Sequence, residues 1–355
     1  MTLIFLLIAA LWFVGHLMGA PVRARLVMMG ILYVGLVVGH LVLPEGNGLR
    51  QATGGSAAGW LILGGLIGLG LVYAFAVKRL KAASERREQG NTPAKAGVFE
   101  DGELDRYARH IVLRELGGPG QKKLKQARIL VIGAGGLGSP ALLYLAAAGV
   151  GRVGVIDDDV VDSGNLQRQV IHEDQDIGKP KVFSAQERML AVNPFIDVRP
   201  YKRRLTEDVA ADLIDDYDIV LDGTDNFETR YLANRVCVTQ GKPLISGALS
   251  QWEGQVSVFD PGASGPCYQC IFPEAPAPGL APSCAEAGVL GPLPGVVGSM
   301  MAVEAVKQVT GAGQVLRGEM LIYDALWGET RKIGLKARTD CPVCGGRGAS
   351  GAEGP

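Results

Sequence analysis

Three stretches of the chain, Thr2–Ala20, Leu26–Leu43 and Ala57–Val77, contain no Lys, Arg, Asp or Glu. Hydrocarbon offers no water to backbone N–H and C=O groups, so a segment crossing about 30 Å of it must be a helix of roughly 20 apolar residues. Residues 1–80 are therefore expected to form a membrane anchor of three transmembrane helices. A secretory signal carries basic residues ahead of its apolar run, and Met1–Ile4 has none, so the first stretch is expected to be retained. Arg23 and Arg25 lie in the first connector, Arg50 alone in the second, and Lys78, Arg79, Lys81, Arg86 and Arg87 follow the third. Positive charge stays on the cytoplasmic side. The predicted topology is a multi-pass protein of the inner (cytoplasmic) membrane, with its N-terminus outside and everything after Val77 in the cytoplasm. His16 and His40, near span ends, read as neutral imidazoles bonded to carbonyls or headgroups. Gly35 with Gly39 and Gly64 with Gly68 let helices approach within the anchor.

The remainder is a different body. Residues 1–95 hold nine Lys/Arg against three Asp/Glu, whereas the rest hold 26 against 33. An acidic body without basic runs lacks the footprint that phosphate backbones need, which argues against nucleic acid. A hydrophobic content of 48% excludes disorder, and six Cys in 355 residues exclude a disulfide scaffold. Residues 81–100, mixed in charge with Gly90 and Pro93, read as a linker, and residues 347–355 as a flexible tail.

From Asp101 onward, short β-branched runs alternate with longer amphipathic stretches, as in a Rossmann-like doubly wound α/β fold. Ile129–Ile132 reads as a buried strand. Gly133, Gly135, Gly136 and Gly138 follow at once, then Pro140 and the helical run Ala141–Ala148, giving G-x-G-x-x-G between strand and helix. Glycines let a phosphate approach the backbone, and the helix N-terminus offers it free N–H groups. The next strand, Val153–Ile156, ends at Asp157, placed to accept from ribose hydroxyls.

This pattern alone would suit a nicotinamide-dependent oxidoreductase. Beyond Asp157, however, come Asn165, Arg168, Lys179 and Lys181, and a later strand, Ile219–Leu221, runs into Asp222-Gly-Thr-Asp225-Asn226. Cations beside a phosphate site and a carboxylate at a strand end suit a triphosphate with Mg2+ better than a hydride carrier. Cys267-x-x-Cys270 and Cys341-x-x-Cys344 present two thiolates each, and four such ligands imply a structural zinc; redox cycling of one pair is the alternative. Cys237 reads as a core residue, and Cys284 follows a Pro/Ala/Gly segment expected to be a mobile loop.

The order Arg106-Tyr107-x-Arg109, GAGGLGSP, DDDVVDSGNLQRQ, GKPKV, DGTDN, EGQVSVF, CYQC, SCAEAGV and CPVC, across residues 101–346, resembles the HesA/MoeB/ThiF group. These are molybdopterin-synthase and sulfur-carrier-protein adenylyltransferases related to ubiquitin-activating enzymes. The resemblance implies ATP-dependent adenylation of the C-terminal Gly-Gly carboxylate of a ubiquitin-like sulfur carrier, with a separate sulfur donor. The small subunit of molybdopterin synthase is the expected carrier and the thiamine-pathway carrier the alternative. An inactive membrane-tethered binder is opposed by the retention of every implied ATP residue. By resemblance, Gly133, Gly135, Gly136, Gly138 and Asp157 hold the nucleotide, Asn165, Arg168 and Lys181 attend the phosphates, and Asp225 holds Mg2+. Arg109 reaches the site from a neighbouring subunit, which implies a homodimer; Cys267, Cys270, Cys341 and Cys344 hold Zn2+; Cys284 takes the carrier covalently in some relatives. Three features depart from the family pattern: the apolar N-terminal segment, Gly164 where Ser is common, and no rhodanese domain after CPVC.

Overall fold

The structure, a computed structural model, describes residues 2–19, 21–44, 46–54, 56–90, 98–263, 265–277 and 287–345. The chain divides into two compact units, Met1–Lys95 and Ala96–Pro355.

The first unit is helical: α1 (Thr2–Leu17), α2 (Val22–Val42), α3 (Gly48–Ala52) and α4 (Ala57–Gly90). Among the described residues, two segments are long and apolar enough to cross a membrane, Val22–Val42 and Ala57–Arg79. This corrects the three spans expected from the sequence. The first stretch stops at Leu17 because Gly19 turns the chain at φ +69° and Pro21 begins α2, leaving 16 residues, about 24 Å of helix. At the other end, α4 continues past its apolar part to Gly90, so the helix enters the segment read as a linker. Buried His40 packs where α2 gives way to α3: its Nε2 lies 2.8 Å from Thr53 Oγ1, and Trp60 Nε1 donates to the Thr53 carbonyl at 3.1 Å. His16 Nδ1 lies 3.5 Å from an Arg25 guanidinium nitrogen.

The second unit begins with α5 (Glu103–Arg106), α6 (Ala108–Ile111) and α7 (Gly117–Gln126). It continues through β1 (Arg128–Ile132), α8 (Gly138–Ala148), β2 (Arg152–Ile156), α9 (Lys181–Val192), β3 (Asp197–Tyr201), α10 (Glu207–Asp215), β4 (Ile219–Asp222) and α11 (Phe227–Gln240). The last elements are β5 (Leu244–Leu249), β6 (Glu253–Phe259), α12 (Tyr268–Ile271), α13 (Pro292–Thr310), β7 (Glu319–Asp324) and β8 (Glu329–Gly334). One eight-stranded sheet runs β3-β2-β1-β4-β5-β6-β7-β8. The first five are parallel, and β6, β7 and β8 extend it antiparallel.

Both faces of β1 are covered, which is why its sequence is continuously apolar rather than alternating. Ile129 and Val131 join a core with α8, α9 and α13, while Leu130 and Ile132 join a second core with α10 and α11. Tyr107 separates α5 from α6. The ring of Tyr107 is buried, and Asn193 Nδ2 donates to its hydroxyl at 2.8 Å. Glu103 is buried as well, and Lys125 Nζ donates to its carboxylate at 2.7 Å.

Candidate functional site

The connections leaving β1 and β4 go to opposite sides of the sheet, and a ligand crevice opens at the carboxyl ends of strands where such a reversal occurs. A cleft of about 770 Å³ lies there. At its floor the chain leaves β1 through Gly133, at φ +95°, and turns straight into α8. The turn is so tight that a Cβ at Gly138 would stand 1.9 Å from the Gly133 carbonyl oxygen. Only glycine fits, and the closure aims the start of α8, with its free N–H groups, at the cleft. Gly133, Gly135 and Gly136 line the cleft, while Gly138 closes the loop beneath it.

Asp157, at the end of β2, lines the same cleft. Its two carboxylate oxygens accept from the Ala134 and Asp159 N–H groups at 2.8 and 2.9 Å, which fixes the side chain against the glycine loop and leaves lone pairs for hydroxyls. Arg168 lines the cleft and donates to Asn165 Oδ1 at 2.6 Å, so these two predicted residues hold one another. Lys181 opens α9, is only 4% exposed, and donates to Asp159 Oδ2 at 2.8 Å. A buried ammonium beside a Gly-rich loop is a standing attraction for polyanions.

The turn after β4 brings Asp225 into the cleft, exposed and without a hydrogen bond or ion pair among the described residues. Beneath it lies a group that the sequence did not disclose. Asp222 is fully buried, accepts from the Thr224 N–H and hydroxyl at 3.0 and 2.7 Å, and faces Arg230 at 3.8 Å. Arg230 donates to the Thr224 and Gly247 carbonyls and to Ser246 Oγ. The guanidinium thereby locks the 222–226 turn to β5, and Asn226 caps α11 by accepting from the Thr229 N–H. Arg230 sits at the end of the first turn of α11, where an arginine ordinarily faces solvent; no motif separates it from its neighbours.

His172 was also unassigned. It is 6% exposed behind the glycine loop, with Nε2 at 2.9 Å from the Ala134 carbonyl oxygen and Nδ1 at 2.8 Å from Ser184 Oγ. Burial pushes its pKa below the ordinary histidine range; the Ala134 carbonyl works against this and nearby Lys181 with it. Arg109, on α6, is exposed, does not line this cleft, and has no ion pair among the described residues. Cys284 lies outside the described residues.

The four predicted metal cysteines converge. Cys267, Cys270, Cys341 and Cys344 are buried, and their Sγ atoms lie within 4.8 Å of one another, with pairs at 3.8, 3.6 and 3.4 Å. A tetrahedral ion with about 2.3 Å metal–sulfur bonds separates its ligands by about 3.8 Å, so the donor set fits zinc. Burial pushes the Cys267 and Cys270 thiols up. At Cys341 burial also opposes ionisation, but N–H donors of Cys344 and Val343 bring it down to about 7. Cys237 is separate, buried and held far above its usual range by desolvation. Tyr268, between the first two ligands, reaches the cleft and packs against Tyr231, Phe259 and Phe272.

Several known proteins resemble this chain. The sulfur carrier protein adenylyltransferase of Thermus thermophilus is 52% identical over 247 residues, 68% of this chain and 91% of that protein. The SAMP-activating enzyme E1 of Haloferax volcanii is 47% identical over 251 residues, covering 71% and 92%. The probable adenylyltransferase/sulfurtransferase MoeZ of Mycobacterium tuberculosis is 51% identical over 250 residues, but the match spans only 64% of its length. Among solved structures, Escherichia coli MccB with ATP superposes with a TM-score of 0.58 over 68% of this chain and 74% of that one, at 23% identity, a likeness of fold. With residues 107–343 matched by the model of the ThiF family, the chain belongs to that family, and it is an enzyme of the nucleotidyltransferase class that its relatives' names describe.

Proposed function

We propose that the chain adenylates the C-terminal Gly-Gly carboxylate of a ubiquitin-like sulfur carrier, specifically the small subunit of molybdopterin synthase, and leaves sulfur delivery to a separate donor. One observation carries the reading: the glycine loop, Asp157, Arg168, Lys181 and Asp225 open onto a single cleft. A carboxylate is already ionised at pH 7, so its attack on the ATP α-phosphate needs little acid–base work. What it needs is alignment of two anions and compensation of their charge. Asp157 accepts from the ribose, the loop N–H groups and α8 receive the phosphates, and Arg168 and Lys181 balance their charge, with Asn165 orienting Arg168. Mg2+, when bound at Asp225, adds positive charge to the polyphosphate. Arg109 serves the cleft of a second subunit, which makes the working unit a homodimer. The four thiolates would hold zinc, which ties two chain segments and leaves no coordination position for substrate. Cys284 is proposed as the acceptor of the activated carrier.

Residues 101–346 form the adenylyltransferase domain, and residues 81–100 link it to an anchor in residues 1–80; residues 347–355, expected as a tail, lie outside the described residues. The anchor resides in the cytoplasmic membrane with the catalytic domain in the cytoplasm, where ATP is found; two spans, Val22–Val42 and Ala57–Arg79, put the N-terminus on that same side rather than outside. The test is ATP/pyrophosphate exchange, expected only when a carrier ending in Gly-Gly is supplied. Exchange that is absent with every such carrier, or equal without one, would end the reading.

A further inference from the structure

Ala134, in the glycine loop, is gripped from both sides. Its N–H donates to Asp157, and its carbonyl faces His172 Nε2 at 2.9 Å. A carbonyl can only accept, so Nε2 carries a proton. On the other side of the ring, Nδ1 lies 2.8 Å from Ser184 Oγ, which is itself 2.7 Å from Asp176 Oδ2. Burial works against ionisation of Asp176, but the Ser184 hydroxyl and Lys179 outweigh it and hold the carboxyl below its usual range, so near pH 7 it too can only accept.

Two polar contacts, Ala134 to His172 and His172 to Ser184, thus link the glycine loop to α9, and a third joins Ser184 to Asp176 ahead of that helix. A neutral imidazole and a serine hydroxyl supply two protons between them. The set is one proton short, and an unprotonated pair at 2.7 or 2.8 Å brings two lone pairs together. An imidazolium completes it, with Nε2–H to Ala134, Nδ1–H to Ser184 and the hydroxyl to Asp176. The charged groups facing the ring are Asp157, Asp176 and Lys181. Lys181 repels an added positive charge. Negative charge delivered to the loop by a polyphosphate shifts that balance toward the imidazolium.

We infer that His172 is a positioning residue that takes up one proton from solvent when a nucleoside triphosphate occupies the loop, completing the hydrogen-bonded tie between Ala134 and α9. Proton binding then stiffens the loop at the moment the phosphates need a fixed set of N–H donors. The inference rests on the reading of the cleft as an ATP site.

The experiment is calorimetric titration of MgATP into the full chain in detergent micelles at pH 7, without carrier, in two buffers of different ionisation heat. MgATP phosphates are already ionised at this pH, so uptake reports on the protein. The expected uptake is a fraction of a proton per nucleotide, from an imidazole that burial keeps neutral before binding and that the phosphates shift toward the imidazolium. His172→Gln, which keeps one donor but cannot titrate, is expected to show none. Ser184→Ala, which leaves the ring in place but removes the acceptor for Nδ1–H, is expected to lose most of it. Because binding takes up a proton, MgATP affinity should weaken several-fold from pH 6 to pH 8 in the parent chain and stay flat in His172→Gln. MgATP binding without buffer dependence, or equal uptake in His172→Gln, overturns the inference and leaves the ATP reading intact. Failure of MgATP to bind at all overturns both.

Discussion

The nucleotide cleft and the cysteine cluster are each assembled from residues far apart in the chain, and they differ in what they leave unspent. At the cleft, Asp225 is exposed without a partner among the described residues, and Lys181 holds its charge against a single exposed carboxylate, Asp159. At the cluster, all four sulfurs are buried and turned toward one point. The first arrangement keeps charge available for something that comes and goes. The second is closed and holds whatever occupies it. Binding capacity that turns over and binding capacity that staples are thus distinguished by exposure and by pairing rather than by residue type.

The sharpest way to break this contrast is to remove one group from each place and ask whether activity and stability separate. Asp225→Ala is expected to lower Mg2+-dependent ATP/pyrophosphate exchange by about 10²-fold or more with the melting temperature unchanged, because an exposed unpaired carboxylate holds nothing together. Unchanged exchange would show that the open charge at the cleft is not used. Gly138→Ala comes next and should damage both properties, since the added Cβ meets backbone at 1.9 Å and the loop must move. We expect a loss of about 1–3 kcal/mol in denaturant titrations together with weakened nucleotide binding. Cys341→Ser should do the reverse of Asp225→Ala. The zinc content, expected at one ion per chain, should fall and the protein should lose several kcal/mol, while the kinetics of the surviving folded fraction stay near the parent's. Protein prepared without chelator and found metal-free by elemental analysis would dissolve the contrast altogether.

The smallest effect concerns the anchor. A fragment starting at Thr92 is expected to catalyse carrier-dependent adenylation, but to lose activity on dilution a few-fold more readily than the full chain in bilayers, since confinement raises the effective concentration of domains that must pair. A folded, zinc-loaded fragment inactive at every concentration would mean that the cleft and cluster are not the only parts the reaction needs.

Much of this was legible in the sequence because it is local. β1, the glycine loop and α8 follow one another without interruption, and Asp157 sits at the end of the next strand, so periodicity and turn chemistry place β1 to within one residue and the start of α8, Gly138 rather than Ala141, to within three. The two Cys-x-x-Cys pairs announce their ligand type by spacing. What stayed hidden is made by distance along the chain. The partner of buried Glu103 is Lys125, 22 residues on, and the acceptors of Arg230 come from β5, 16 and 17 residues on, so neither pairing shows in local sequence. The third membrane span was overcounted for a different reason. Absence of charge is not length of helix, and Gly19 with Pro21 ends the first one early.

The cysteine cluster also has a consequence in chain connectivity. Cys267 and Cys341 are 74 residues apart, so a metal held by both would turn the intervening chain into a closed ring. Closing a ring of that size removes unfolded-state entropy worth about 4 kcal/mol by the scaling for covalent links. Inside the ring lies α13, against which the glycine loop is pressed: a Cβ at Gly298 would stand 2.2 Å from the Leu137 carbonyl oxygen, and one at Gly136 would stand 3.0 Å from Pro294. Opening the ring would restore freedom to α13 first. That freedom is gained in the unfolded chain, so the glycine loop keeps its wall in every molecule that still folds.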